Sequence, residues 1–465
     1  MTFSTILSSA AAADPAQLEA HGLALRAEGK WSEAADVFAR IAAALPKQWL
    51  PSFNAGVVYA EANRLAEAAT AFERAVDLRP GDPSIYVNLA QVLARDDRMP
   101  AAKTAFENAL RFDPANFDAL WGLYEVESVL ENDRAAIGYQ RRALHERRTF
   151  SLLAASQPAI CNVLALCAPG NVGINVPLEY VIDRSRFTLH KLYLTGEPLP
   201  PLPQYDVVFN AIAHAPEIAP VLAEADRFIA SQTQPSINAP AAVPLTSREA
   251  IAERFRTSAS VVAVDASAVA RARVRDAGRE LPFLIRPLDS HAGRDLAKIE
   301  DRAQLDAYLA ISRDDAYYLA PFIDYRNADA HFRKYRVIFV EGVAYPCHLA
   351  ISTNWMIHYY NAPMETHAWM RDEEHAFMRD ITSVFDGIRG EALDEIARAI
   401  PLDYFGIDCS IAPDGRVLLF EASAAMLVHT NDPIDLYPYK AEYVPRITRA
   451  LETLIARLRD GAAAG

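Results

Sequence analysis

Phe38, Phe72 and Phe106 stand 34 residues apart, and the same period runs through the first third of the chain. Pro46, Pro80 and Pro114 keep it, as do Ala34, Ala68, Ala102 and Ala136, while Gly22, Gly56 and Ala90 share an equivalent small position. A fixed period of this length marks a supersecondary unit that cannot bury its apolar face alone and must stack on its neighbours. Small residues where paired helices approach, an aromatic on the second helix and a terminating proline predict helix–turn–helix units at 15–48, 49–82, 83–116 and 117–150. In the last unit Gln140 replaces the aromatic and Arg148 the proline, as in an atypical capping repeat.

The pattern resembles tetratricopeptide repeats, which implies an all-α solenoid over 13–150 whose concave face holds a peptide or protein segment. Asn54 and Asn88, one repeat apart on first helices, are candidates for contacting an extended backbone there. A solenoid does no chemistry by itself, so it points to recruitment of a peptide or protein substrate or a partner, or to self-association as a homodimer.

Composition bounds the rest. A chain of 465 residues with a formal net charge of −14 is not expected to take a nucleic-acid backbone as its main partner. Four cysteines (Cys161, Cys167, Cys347, Cys409) form neither a disulfide framework nor a CxxC pair, so a reducing cytoplasm is the expected compartment. The N-terminal stretch lacks a basic region ahead of its short apolar run, and no run of about 18 apolar residues predicts a membrane span.

After residue 150 the texture changes to short apolar runs between helices. Segments 163–168, 190–194 and 206–212 read as buried strands, with a helix over 215–229 and a Pro-rich surface connection over 198–203. Farther on, 404–423 reads as two strands, 405–411 and 417–420, joined by a tight Asp414-Gly415 turn. That hairpin brings Asp408 and Glu421 together. Hard oxygen donors without cysteine or histidine suit Mg²⁺, while this segment alone favours an ordinary hairpin carrying exposed acids.

Between these points the motifs come in a fixed order. Asn238-Ala239-Pro240 leads to a helix start at Thr246-Ser247-Arg248; 281–299 gives a strand, a basic residue and a polar loop; 317–324 gives another strand; 334–346 gives a hairpin; the carboxylate pair comes last. This order resembles the ATP-grasp superfamily over roughly 155–460. It implies an α/β pre-ATP-grasp domain at 155–245 and an α+β ATP-grasp domain at 246–460.

What the resemblance implies can be given residue by residue. Asp408 and Glu421 fall on the metal-binding acids, for Mg²⁺ or Mn²⁺, and Ser423 stands where an asparagine ligand is expected. Arg248 and Arg286 replace two phosphate-binding lysines, a change that keeps the charge in a forked donor. Ser290 and Gly293 lie in the phosphate-covering loop. Ala320, Phe322 and Ile323 present backbone groups to adenine, with Asp324 at the ribose. Arg336, with Arg286, sits by the terminal phosphate as a catalytic cation, whereas Arg333 and Lys334 are expected to be solvated or accessory. Segment 347–377 shapes the acceptor pocket, with His348 and Asn354 as substrate contacts; its histidines match no HExxH or compact zinc spacing.

The function so implied is an ATP-dependent carboxylate–amine ligase that joins a small-molecule amine or carboxylate through an acyl-phosphate, releasing ADP and phosphate, with the repeats recruiting its peptide or protein substrate. Two alternatives stand beside it. One is a repeat-based interaction protein with a degenerate nucleotide-binding fold; the other is an ATP-dependent phosphotransferase.

Overall fold

The computed structural model describes residues 14–463 except 216, 289–294, 358 and 429–431. It divides into two compact units, Met1–Arg148 with Pro169–Asn171, and Thr149–Ala168 with Val172–Gly465.

The first unit is helical: α1 (Pro15–Ala27), α2 (Trp31–Ala44), α3 (Trp49–Glu61), α4 (Leu65–Leu78), α5 (Pro83–Arg95), α6 (Met99–Phe112), α7 (Phe117–Val129) and α8 (Asp133–Glu146). These are the four predicted helix pairs. The small position has a direct steric cause: a Cβ on Gly22 would lie 2.7 Å from the Phe38 ring, and one on Gly56 2.8 Å from Phe72. Phe38 and Phe72 therefore set the residue their partner helices can carry, Phe106 presses in the same way on Gly122 of the next pair, and all three rings are buried.

A second 34-residue period appears in the backbone. Gly29, Asn63, Asp97 and Glu131 have φ of 74°, 58°, 56° and 58°, each in the left-handed region that closes the first helix of its pair. The following amide turns back to a carbonyl five residues earlier in every unit, as in Arg64 N to Tyr59 O at 2.9 Å and Asn132 N to Glu127 O at 2.8 Å. Glycine, asparagine and aspartate enter this conformation most readily, and glutamate does not. Three of the four first helices also start on side-chain caps, since Asp14, Asp82 and Asn116 accept from the backbone amides of Ala16, Ser84 and Ala119.

The second unit contains three sheets. Strands β1 (Thr149–Leu152), β2 (Cys161–Cys167), β3 (Phe187–Tyr193), β4 (Val207–Asn210) and β5 (Ser236–Ile237) form the first in the order β1-β3-β2-β4-β5. It is parallel except for β1, and α9 (Ala219–Ala230) lies between β4 and β5 in the chain. Then come α10 (Arg248–Arg254), β6 (Val261–Ala263), β7 (Ser267–Ala270), β8 (Phe283–Pro287), β9 (Ala297–Ile299), α11 (Arg302–Ile311) and β10 (Ala316–Pro321). Strands β7, β10, β8 and β9 make an antiparallel sheet over a core of Phe283, Ile285, Leu305, Tyr317 and Leu319.

Strands β11 (Phe332–Val340) and β12 (Val343–Ser352), helices α12 (Ala368–Arg379) and α13 (Gly387–Ala399), strands β13 (Tyr404–Ile411) and β14 (Val417–Ser423), and α14 (Lys440–Ala463) complete the unit. The third sheet runs β12-β11-β13-β14-β6, antiparallel except for the β14–β6 pair. The predicted β13–β14 hairpin is present, with Gly415 at φ 89° in its turn. The strand expected over 317–324 ends at Pro321, whose missing N–H cannot continue the ladder. Asn238, at φ 62° and fully buried, clamps the start of β13: its side chain donates to Tyr404 O (2.8 Å) and accepts from Tyr404 N (2.9 Å).

Replacing Glu131 by glycine is expected to stabilise the protein by about 1 kcal/mol, because it removes a Cβ from a left-handed position. Urea unfolding of the Glu131→Gly variant, followed by far-ultraviolet circular dichroism, measures this, and an unchanged or lowered midpoint refutes it.

Candidate functional site

The pairing of the third sheet lines up four polar residues across four strands. Arg336 on β11 lies opposite His348 on β12 and opposite Asp408 on β13, and Asp408 lies opposite Glu421 on β14. Residues directly opposite in adjacent strands share a face, so His348, Arg336, Asp408 and Glu421 form one transverse row. Lys334, two residues before Arg336, is on the same face. Irregularities in register fall at the row itself, between Arg336 and Val337 and between Asp408 and Cys409.

Asp408 is the centre of the row. Its Oδ1 accepts from Arg336 Nε at 2.7 Å, its Oδ2 accepts from Arg336 Nη2 at 3.0 Å, and Lys334 Nζ stands 2.7 Å from Oδ2. Burial alone would raise this carboxyl, but Arg336 and Lys334 outweigh it and hold it well below the usual carboxylate range. Arg336 also donates to Leu427 O at 3.3 Å. Of the two roles expected for Lys334, solvated or accessory, its contact with Asp408 fits the accessory one, and the signal was its i, i+2 spacing from Arg336 on a strand. Arg333 points to the opposite face, buried, and pairs with Asp329 and Glu373.

Two more cations approach from outside the row. Arg248 opens α10, positioned by Ser247, whose hydroxyl accepts from Ala250 N; it reaches Glu421 at 3.8 Å and donates to Phe420 O at 3.3 Å. Arg286 shares the less buried face of its strand with Leu284 and pairs across to Tyr318. Burial, with the neighbouring Arg248 guanidinium second, lowers Arg286 to about 10, so it stays charged at neutral pH.

His348 closes the other end. It is 7% exposed, its Nδ1 has no hydrogen-bond partner, and its ring centroid lies 4.5 Å from that of Tyr359. Burial, reinforced by Arg336, keeps it neutral to well below its ordinary pKa. Tyr359 leads into a buried network that the sequence did not announce. Tyr359 donates to Asp432 (2.7 Å), Lys440 pairs with Asp432 (3.0 Å) and Glu374 (3.2 Å), and Tyr439 donates to Glu374 (2.6 Å). These partners are up to 81 residues apart in the chain, and no local pattern links them.

The other predicted residues are placed as follows. Ala320 is buried at the end of β10, while Phe322 and Ile323 are half-buried beyond it. Phe322 packs edge-on against Trp355 with Lys298 over its ring at 4.3 Å. Asp324 is exposed and paired with Arg326. Asn354 sits in an exposed turn, its side-chain carbonyl accepting from Met356 N at 3.3 Å. Ser423 shares the face of Glu421, and its Oγ accepts from Ala425 N at 3.0 Å. Ser290 and Gly293 lie outside the described residues. In the repeats, the amide of Asn88 turns back onto its own helix at Ser84 O (2.9 Å).

As these side chains stand, the donor set does not fit a divalent cation. Both Asp408 oxygens are engaged by protein cations, and among the described residues no three His, Cys, Asp or Glu side chains converge on a metal position. A cavity of about 530 Å³ lies on the opposite face of the sheet, lined by Tyr325, Arg333, Tyr335 and Arg389, and holds none of the predicted site residues. All four cysteines are free and buried, and burial pushes the Cys161, Cys167 and Cys347 thiols up to about 12, which keeps them unreactive.

Unfolded, His348 titrates near 6.5; folded, it stays neutral to lower pH. The unfolded chain thus takes up an extra proton first, and the folded state loses about 1.4 kcal/mol per pH unit below about 6.5 from this group. His190 and His214, both lowered by burial, add to the same trend. Stability measured by denaturant unfolding should fall from pH 7 to pH 5, and His348→Gln should flatten that fall by about one such unit; an unaltered pH profile in the variant refutes the buried neutral state.

Models of the tetratricopeptide repeat family match residues 19–83 and 59–126. No curated protein matches the sequence. Among solved structures, MamA (41-end) from Desulfovibrio magneticus RS-1 is similar at 21% identity, over 29% of this chain and 75% of that one, with a TM-score of 0.27. The first repeat domain of Spaghetti (RPAP3) bound to an HSP90 peptide is similar at 23% identity, over 25% of this chain and 93% of that one, with a TM-score of 0.24. No helix among the described residues is long and apolar enough to cross a membrane. The chain therefore carries an N-terminal tetratricopeptide-repeat region, followed by a mixed α/β region of three sheets.

Proposed function

We propose that this protein is an interaction protein whose repeats hold a peptide or protein segment. The observation that carries the reading is the 34-residue helical repeat, matched by family models over 19–126 and built of four stacked helix pairs. Stacked pairs of this kind create extended surfaces suited to an extended chain, and such repeats are protein-interaction modules. Asn54, half-buried on the first helix of the second unit, is the candidate contact. Peptides selected from a display library on the full-length protein should lose about tenfold in affinity for Asn54→Arg, read by fluorescence anisotropy. Equal affinities would remove this face from the binding role.

A second reading is favoured by one specific observation, the convergence of Arg248, Arg286, Lys334 and Arg336 on the row that includes Asp408 and Glu421. On this reading the α/β region binds ATP and acts as a carboxylate–amine ligase. A substrate carboxylate oxygen attacks the γ-phosphorus, ADP leaves with the electrons of the broken P–O bond, and an amine nitrogen then attacks the acyl carbon. The C–N bond forms, phosphate leaves and the amine gives up a proton. The chain's own part is to place four fixed cations where negative charge develops on the phosphoryl oxygens. Mg²⁺ or Mn²⁺ enters this reading only through the family resemblance, and no step here depends on it. A phosphotransferase would share the ATP site and end at a phosphate ester.

Incubation with ATP, Mg²⁺ and pools of amino acids and peptides, followed by ADP assay and mass spectrometry, separates these outcomes. A dehydrated adduct with ADP supports the ligase, a phosphate adduct with ADP the transferase, and neither leaves the interaction role. Arg336→Met should lower ADP release at least about a hundredfold if the row is catalytic. Release that is unaffected sinks the assignment.

A further inference from the structure

We propose that the row on the third sheet grips a polyphosphate directly, without a bridging divalent cation, and that Asp408 serves to hold Lys334 and Arg336 in position rather than to bind metal. The inference rests on the nucleotide-binding reading above and changes what holds the ligand.

Three observations carry it. First, charge: Arg248, Lys334 and Arg336 are paired with Asp408 and Glu421, three positive groups against two negative ones, and His348 is neutral. The row is therefore net positive, so an anion offsets it while a divalent cation would add to the excess. Second, access: the Asp408 side chain is 3% exposed, whereas Lys334, Arg336 and Arg248 are 17%, 19% and 27% exposed. A ligand entering from solvent meets Lys334, Arg336, Arg248 and the 42%-exposed Glu421 before it meets Asp408, so Asp408 is the acid least open to a metal arriving from solvent. Third, donors: the Ser423 hydroxyl oxygen already accepts from Ala425 N, and the second acid of the row, Glu421, has Arg248 beside it at 3.8 Å.

The geometry also gives Asp408 a role other than metal ligand. Lys334 and Arg336 are neighbours on one face of one strand, and unpaired they would repel each other and lose side-chain order. A single buried carboxylate taking Nε and Nη2 of the arginine and Nζ of the lysine fixes both head groups. The arginine's Nη1 is tied to Leu427 O. His348, buried with Nδ1 unpartnered, adds a neutral polar atom at the end of the row. A polyphosphate has many equivalent oxygens and matches a line of forked donors better than a compact anion does.

The test is isothermal titration of the full-length protein with inorganic tripolyphosphate, and separately with ATP, in excess Mg²⁺ and in EDTA. Direct binding predicts equal or tighter affinity in EDTA, because Mg²⁺ competes with the arginines for the same oxygens. It also predicts that Glu421→Gln, a change at a part-exposed acid that leaves the fold intact, tightens binding by about three- to tenfold, and that Lys334→Met weakens it by about tenfold. Binding that requires Mg²⁺ and is lost in Glu421→Gln overturns the proposal in favour of a metal bridge while leaving the nucleotide-binding reading standing. Absence of binding to either probe in both buffers overturns the proposal and that reading together. Thermal melts of each variant show that the protein compared is folded.

Discussion

A buried carboxylate can be kept ionised inside a sheet only if its cost of desolvation is met by close, well-oriented cations. Asp408 meets that condition with Arg336 and Lys334 on the next strand. The ion set lies between two adjacent inner strands of the five-stranded sheet, where the β11–β13 register sets Arg336 directly opposite Asp408. His348 beside it stays neutral chiefly because it is buried, with the Arg336 guanidinium adding to that effect. Removing one cation would leave a charge in a site that water barely reaches, which is why the row behaves as a unit.

The first unit depends on a different constraint, the steric fit of a phenylalanine ring against a residue with little or no side chain. That contact repeats at Gly22–Phe38 and Gly56–Phe72, and each repetition needs the turn between the helices to reverse the chain in few residues. The left-handed residues at 29, 63, 97 and 131 provide the reversal. The last of them is a glutamate, in the same unit where Gln140 and Arg148 depart from the repeat. Gln140 there is buried and accepts from Gly170 N at 2.8 Å, a polar contact that an aromatic at this position could not make.

Much of the architecture is legible in the order of residues along the chain. Periodicity locates the helix pairs, and short apolar runs with an Asp-Gly turn locate the β13–β14 hairpin, because both signals depend on near neighbours. The left-handed turn positions are visible in principle as Gly29, Asn63 and Asp97, a period in residue types that turns favour. Whether Lys334 is solvated or accessory is not readable from sequence, because a charge near a strand end has no visible partner until the opposite strand is known. The link from His348 through Tyr359 to Lys440 and Glu374 is not readable at all: its members come from a strand, a short turn and two helices that only the fold brings together.

The metal question shows the same division most clearly. The sequence determined that Asp408 and Glu421 would stand on the two strands of one hairpin, and the register shift between Asp408 and Cys409 is what sets them directly opposite each other. It also determined the repeats, since a 34-residue period admits stacked helix pairs and little else. Which charges surround the carboxylates was decided by tertiary structure alone, because Arg336, Lys334, Arg248 and Arg286 reach them from three separate elements. Electrostatic energy depends on distance in space and on burial, neither of which is a property of sequence order. The same two acids therefore carry one meaning on a bare hairpin and another when four cations close around them.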